Sequence, residues 1–407
     1  MFNAVLFILS PLIFLINKII PLSKRKVLFY NKRGFFHGNP KYFFKYLIEI
    51  EWGHPIWITK SEDVYNNLCR GYSPQYVILR KGLIGNIKYV YHYLTSSAII
   101  IAGTSDCWHI LRYTKTKRRK IINIGHGVLV PGTKKTGIEI RSSSKSIKRE
   151  IKRRRAVTYY TMCSEIEKYT RSAAYYVNLN NFVVTGVPRS DIVINNLNNK
   201  QNLYQLINSL IHPKVNFEKV ILYAPTHRDA GRWKDSISPS SFFPFNDFHV
   251  DQLKQFLADN RAILLLRTHD NENKFGASDQ TQVESIVDHD RVFYFSHSVL
   301  ADANEILPAV DLLIADYSTI AVDFLLCNKP IIYVPYDLKD YHRGIVLDYN
   351  SWTPGEKVHD FKQFLKTAQE YLINPGKDSE ERERIKRMFH QHLDGKSSER
   401  ILELIQN

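Results

Sequence analysis

DLLIADYSTIAVDFLLCNKPIIYV, residues 311–334, reads as strand, turn, helix and strand within a single short span. The apolar run Asp311–Ala315 is a strand, and Asp316-Tyr317-Ser318-Thr319 is the polar turn that follows it. Ile320–Cys327 is a helical run that Lys329-Pro330 terminates, and Ile331–Val334 is the next strand. Short apolar strands separated by helical runs are the mark of parallel sheets covered by helices. The same alternation occurs upstream at Val220–Tyr223, Ala262–Leu266 and Val292–Phe295. An earlier series comprises Lys26–Tyr30, Ile56–Thr59, Ala98–Ala102, Lys120–Ile124 and Phe182–Thr185. The expected fold class is therefore α/β, with two similar halves.

The polar stretch Asn195–Asn216, with His212-Pro213 near its end, marks the join. The expected domains are an apolar segment 1–23, an N-terminal domain 24–200, a C-terminal domain 201–378 and charged helices 379–407 that pack back across both. With 407 residues, 44% hydrophobic and 13% aromatic, the chain has ample apolar surface for two cores, which excludes a disordered protein. Its 56 Lys and Arg against 40 Asp and Glu give a net charge of +16, which favours an anionic partner: nucleic acid, acidic lipid or phosphorylated substrate. Cys69, Cys107, Cys163 and Cys327 have no CxxC spacing, which argues against a zinc site or a disulfide framework.

Residues 1–23 carry one charge, Lys18, and Lys24-Arg25-Lys26 follow them. A secretory signal has its basic residues before the apolar run, so that reading is rejected in favour of membrane association or a buried helix. If the segment spans a bilayer, its basic flank sets the body of the protein in the cytoplasm.

Four polar clusters stand directly after strands, where open parallel sheets bind ligands. In Gly125-His126-Gly127 the glycines permit a sharp turn and leave an accessible imidazole suited to general-base work, or merely a turn histidine. In Thr226-His227-Arg228-Asp229 and Arg267-Thr268-His269-Asp270, Arg228 offers donors for phosphate, and the plain alternative at both is an ion pair with the adjacent aspartate. At Asp316-Tyr317-Ser318-Thr319 a hydroxyl caps a helix whose start is an anion site, or simply a capped helix. Asn304-Glu305 offers a carboxylate for ribose hydroxyls. Seven basic residues between Lys145 and Arg155 face one acid, Glu150, and suit anionic headgroups, a lipid-linked pyrophosphate or plain solvation. No RNP-type motif or zinc finger supports nucleic acid, and none is expected. No HExxH, GxSxG, Walker loop or GxGxxG occurs, so no metal is expected and direct transfer is the simplest chemistry.

The clusters, in this order, resemble the family of CDP-glycerol glycerophosphotransferases that build teichoic acids and related capsular polymers. The motifs are Asn39-Pro40-Lys41, Gly125-His126-Gly127, Gly186-Val187-Pro188-Arg189-Ser190-Asp191, Tyr223-Ala224-Pro225-Thr226-His227-Arg228, Arg267-Thr268-His269, Asp316-Tyr317-Ser318-Thr319 through Asp323-Phe324, Lys329-Pro330-Ile331 and Tyr336-Asp337-Leu338. The resemblance implies a GT-B-like fold of two Rossmann-type domains facing a central cleft. It implies His126 as general base and His269 with it as catalytic, with Arg228, His227, Thr226, Arg267, Asn304, Glu305, Asp316, Ser318 and Thr319 on the donor. Asn39, Lys41, Arg189 and Asp191 fall on the acceptor side.

Its implied partners are a CDP-polyol donor, a lipid-linked or polymeric acceptor and an anionic membrane surface met by residues 1–26 and 145–155. It implies no tightly bound cofactor, and work at the cytoplasmic face of the cell membrane as a peripheral or monotopic enzyme. The sequence departs from the family pattern where Gly125 precedes the histidine, where Val128-Leu129-Val130-Pro131 follows it, and where His227 replaces an aromatic residue. The rival readings are a GT-B glycosyltransferase using a nucleotide sugar and a non-catalytic basic protein that binds RNA or another polyanion.

Overall fold

The computed structural model describes residues 10–31, 34–103, 118–125, 144–226, 243–267, 286–288, 290–336, 338 and 347–407. Strands β1 (Ser23–Tyr30), β2 (His54–Thr59), β3 (Val77–Leu79), β4 (Ser96–Ile101), β5 (Lys120–Asn123), β6 (Tyr159–Met162) and β7 (Phe182–Val184) form one sheet. Its order is β3-β2-β1-β4-β5-β6-β7, and every pairing is parallel. Strands β8 (Lys219–Tyr223), β9 (Ala262–Leu266), β10 (Val292–Tyr294), β11 (Leu312–Ala315) and β12 (Ile331–Tyr333) form a second parallel sheet, ordered β10-β9-β8-β11-β12.

Helices cover both faces of the first sheet, so its strands are apolar throughout rather than alternating. On one face Leu28, Ile56, Ile99 and Ile121 pack with Tyr89 and Tyr93. On the other, Val27, Phe29, Ile100 and Ile122 pack with Phe43, Phe44 and the C-terminal residues Ile401, Leu402 and Ile405. In the second sheet all five residues of β9 are buried, and Phe243, Phe245, Phe361 and Phe364 close one face.

Two strands escape the sequence reading. β3 has three residues at an edge, and β6 is the aromatic Tyr159-Tyr160-Thr161-Met162, with no aliphatic run to announce it. The compact units divide between Asp191 and Ile192, upstream of the expected 200/201 boundary. The reason is that the helix Lys200–Leu210 and its approach belong to the second unit, where the Lys200 ammonium and the Tyr204 hydroxyl, each at 2.7 Å, bind the Asp311 carboxylate. The tail is divided too. Ser379–Phe389 lies with the second unit, whereas Gln391–Asn407 lies with the first. Among the described residues no helix is long and apolar enough to cross a membrane.

His92, in the last turn of the helix Gly82–Thr95, is pushed down to about 4 by burial first, then by Lys26, His54 and Lys88. The unfolded chain, with histidine near 6.5, then binds more protons than the folded one between those values. Stability is full above pH ~6.5 and falls as pH drops through that window toward 4. A His92→Gln variant is expected to flatten the fall in melting temperature between neutral and mildly acidic pH, measured by thermal scans across that range.

Candidate active site

In both sheets the chain order reverses, between β1 and β4 and between β8 and β11, and loops beyond the carboxyl ends leave a crevice at such points. In the second sheet this point is built by Asp316. Its carboxylate, 2% exposed, accepts the Thr226 backbone N–H at 2.9 and 3.0 Å, the Thr226 hydroxyl at 2.6 Å and the Tyr317 N–H at 2.5 Å. The ends of β8 and β11 are thereby tied together. The Tyr349 hydroxyl donates to the Asp316 carbonyl at 3.0 Å, and its ring meets Tyr317 edge-on. Asp316 and Thr226, both expected on the donor, hold each other.

Ser318 stands at the N-cap of the helix Thr319–Phe324 by its backbone, yet its hydroxyl makes no cap hydrogen bond. The expected capping is therefore corrected: the half-buried hydroxyl and the exposed Thr319 lie beside the pinned loop. Arg267, at the end of β9, is 7% exposed. One guanidinium nitrogen donates to the carbonyls of Phe295, Ser296 and Leu300, and the other donates to Ala301. Arg267, expected on the donor, thereby holds the loop after β10. Asn304 is likewise buried and donates to the Asp323 carboxylate at 3.1 Å, while its neighbour Glu305 is half-buried. The 295–305 loop and the Thr319–Phe324 helix are joined through that bond.

In the first unit Asn39 is fully buried. Its amide donates to the carbonyls of Ile124 (2.9 Å) and Gly125 (3.3 Å), and its oxygen accepts the Arg189 N–H at 3.1 Å. Asn123 accepts the Gly125 N–H at 2.9 Å, and Gly125 itself sits at φ 60, where a side chain is disfavoured. Asn39, expected on the acceptor side, thereby positions the turn at Ile124 and Gly125.

Asp191, also expected on the acceptor side, reaches the last helix. Its carboxylate accepts the N–H groups of Ser397 and Ser398 at 2.9 Å and so caps the last helix. Burial raises its pKa, and the Ser397 and Ser398 hydrogen bonds oppose the rise. Gly186 permits this approach, since a Cβ there would meet the Ser397 hydroxyl at 2.2 Å. Lys41 is half-buried, with its ammonium 5.0 Å from the Tyr42 ring, and Arg189 is 9% exposed. His126, His227, Arg228 and His269 lie outside the described residues.

Of the basic run, Lys148, Arg149, Lys152 and Arg155 are exposed, while Arg154 turns inward over the Tyr175 ring at 4.2 Å. Lys148, Ile151, Lys152 and Arg155 line a cavity of about 440 Å³. Among the described residues no group of three His, Cys, Asp or Glu could hold a metal ion. The sequence reading misses Asn123 and Tyr349, because neither adjoins a charged motif.

Asn39→Ala removes three hydrogen bonds from buried backbone groups, a loss of about 2–3 kcal/mol at ~1 kcal/mol each. Urea unfolding is expected to show that loss as a lower midpoint.

The structure matches the wall teichoic acid polymerase TagF over 99% of this chain and 95% of that one, with a TM-score of 0.73 and 19% identity. It also matches a glycosyltransferase from Rickettsia africae over 94% of this chain and 98% of that one, with a TM-score of 0.53 and 13% identity. At these identities the likeness is one of fold, and it sets the chain in the GT-B-like class of two Rossmann-type parallel sheets. The model of the CDP-glycerol:poly(glycerophosphate) glycerophosphotransferase family matches residues 12–407, and the chain belongs to that family.

Its relatives include the teichoic acid poly(ribitol-phosphate) polymerase of Bacillus spizizenii, 28% identical over 80% of this chain and 49% of the relative. The teichoic acid glycerol-phosphate primase of Bacillus subtilis is 27% identical over 100% of this chain and 97% of its own. The chain spans about half the length of two of the ribitol-phosphate polymerases it matches, and nearly all of the primase.

Proposed function

We propose that the chain transfers glycerol phosphate, or a related polyol phosphate, from a CDP-activated donor to a lipid-linked or polymeric acceptor, releasing CMP. The product belongs to a teichoic acid-like or capsular polymer. The observation that carries this reading is the family match, which runs over residues 12–407 and so includes the turn pinned by Asn39 and the loop pinned by Asp316.

In this reading the acceptor hydroxyl attacks the phosphorus bonded to the polyol, and His126 takes the hydroxyl proton. The bond to CMP breaks with its electron pair on the CMP oxygen. Arg228, His269 and the Ser318-Thr319 hydroxyls stabilise charge on the phosphoryl and leaving groups, and His227 adds a further donor. Glu305 accepts the ribose hydroxyls. Lys41 and Arg189 serve the acceptor.

No tightly bound cofactor takes part. The reaction runs at the cytoplasmic face of the cell membrane, where residues 1–26 and the cations of 145–155 meet anionic lipid. A panel of CDP-glycerol, CDP-ribitol, UDP-sugars and GDP-sugars tests the donor. CMP release from a CDP-polyol supports the reading, whereas NDP release from a nucleotide sugar replaces it with glycosyl transfer. RNA binding that falls steeply with salt, without turnover of any donor, replaces it with a polyanion-binding protein.

A further inference from the structure

Lys60 and Arg80 directly follow β2 and β3, whose last residues, Thr59 and Leu79, pair in register. The Arg80 N–H donates to the Thr59 carbonyl at 2.8 Å, so the two cations start side by side at the carboxyl edge of the first sheet. Neutral groups set their placement. The Arg80 guanidinium lies 4.5 Å from the centre of the Tyr89 ring. Its Nε donates to the Asn86 side-chain oxygen at 3.2 Å, and a terminal nitrogen donates to the Tyr30 hydroxyl at 3.4 Å.

The Lys60 backbone is held between Gly34 and the turn into Ser61. A Cβ at Gly34, whose φ is +80, would meet the Thr59 Cα at 2.6 Å and the Lys60 nitrogen at 3.0 Å. The Ser61 N–H donates to the Thr59 hydroxyl at 3.0 Å. Partial desolvation first, and the Arg80 charge second, lower the Lys60 pKa. The adjoining acid Glu62 is bound to Lys81 at 2.5 Å. Like charges fixed side by side oppose folding, and an anion seated between them removes the repulsion.

The pair stands on a row that crosses the sheet. Arg80 reaches Tyr30, Tyr30 pairs with Ile101, and Ile101 pairs with Asn123, which holds the Gly125 turn. β5 lies three strands from β2 and four from β3, and strands are about 4.8 Å apart, so Lys60 and Arg80 start about 14 to 19 Å from that turn. A single glycerol phosphate unit is too short for that span, whereas a chain of them crosses it and brings a phosphate to the far end.

We propose that Lys60 and Arg80 form a subsite for phosphodiester groups of the acceptor chain, several units back from the hydroxyl that is extended. The inference rests on the proposed transfer and deepens it, because it makes the acceptor an anionic polyol phosphate oligomer. Arg80 offers phosphate oxygens a planar fork of donors, and Lys60 offers a point charge. A grip on earlier units favours acceptors that already carry several phosphates.

The test is steady-state CMP release from CDP-glycerol by the full chain, with glycerol phosphate or a soluble oligo(glycerol phosphate) as acceptor. The wild type is expected to show a KM for the oligomer about tenfold or more below that for the monomer. Lys60→Ala/Arg80→Gln is expected to erase that difference by raising the oligomer's KM, with kcat and the monomer's KM unchanged. Lys60→Arg keeps the charge and is expected to keep the wild-type KM. Lys60→Ala alone, at an exposed position, is expected to show part of the rise, which keeps the test open if the Arg80 change unsettles the fold. Calorimetric titration with the oligomer, without donor, reads the same affinity directly.

An oligomer KM that the variants leave unchanged overturns the proposal, as does an equal rise for both acceptors, which marks damage at the reacting end. RNA that binds as tightly as the oligomer and loses as much affinity in the double variant also overturns it, giving the pair to any polyanion. Wild-type turnover with one KM for both acceptors removes the subsite and leaves the transfer standing. Oligomer affinity lost in the variant, without turnover of any CDP-polyol by the wild type, supports the subsite and sinks the transfer instead.

Discussion

If the proposed reaction holds, replacing His126 with alanine is expected to lower turnover by about 100-fold or more and to leave the affinity for CDP at the wild-type level. In the proposed reaction a general base acts when the acceptor oxygen attacks, so its removal costs the chemical step and spares the binding of the nucleotide. Two features of the fold make this residue the one to test. The turn before it is fixed on both sides, by Asn123 on the Gly125 N–H and by Asn39 on the carbonyls of Ile124 and Gly125. An imidazole with an ordinary pKa near 6.5 is also the side chain best matched to proton transfer at neutral pH. Steady-state CMP release and calorimetric titration with CDP measure the two quantities separately. Near-wild-type turnover in the variant contradicts the assignment.

Asp316→Ala is expected to unsettle the second unit and the loop proposed to meet the donor together. The buried carboxylate holds the Thr226 N–H and hydroxyl and the Tyr317 N–H, and hydrogen bonds to a charged group are worth about 1.5–3 kcal/mol each. Losing them leaves donors without their acceptor, so a stability loss of about 3 kcal/mol or more follows. Because the ends of β8 and β11 then part, affinity for CDP is expected to drop about tenfold or more, the equivalent of about 1.4 kcal/mol. Asp316→Asn keeps an acceptor oxygen in place and is expected to fall between the two. Urea unfolding and CDP titration check both effects, and an Asp316→Ala protein that binds CDP normally contradicts the pinning role.

Aliphatic strands were readable from the sequence because a parallel sheet buried on both faces demands unbroken apolar runs, as at Ala262–Leu266. Edge position and aromatic composition hid β3 and β6. The polar motifs were visible as well, but their tasks were not. Asn39 reaches a carbonyl 85 positions away, Asp316 reaches an N–H 90 away and Asp191 reaches one 207 away. A polar residue in a motif looks the same whether it meets a ligand or another part of the backbone, and burial decides between them. Arg267 shows this most clearly: a cation at a strand end suggests phosphate, yet four backbone carbonyls take its donors.

In the proposed reaction a polyol phosphate moves intact from a CDP-polyol to an acceptor and CMP is left behind. Incubating the full chain with CDP-glycerol and a short, soluble poly(glycerol phosphate) acceptor, then weighing the acceptor by mass spectrometry while counting CMP, tests it most directly. One glycerol phosphate added for each CMP released is the expected result. CDP-glycerol hydrolysed with no gain in acceptor mass, or a gain only when a nucleotide sugar is supplied, contradicts it.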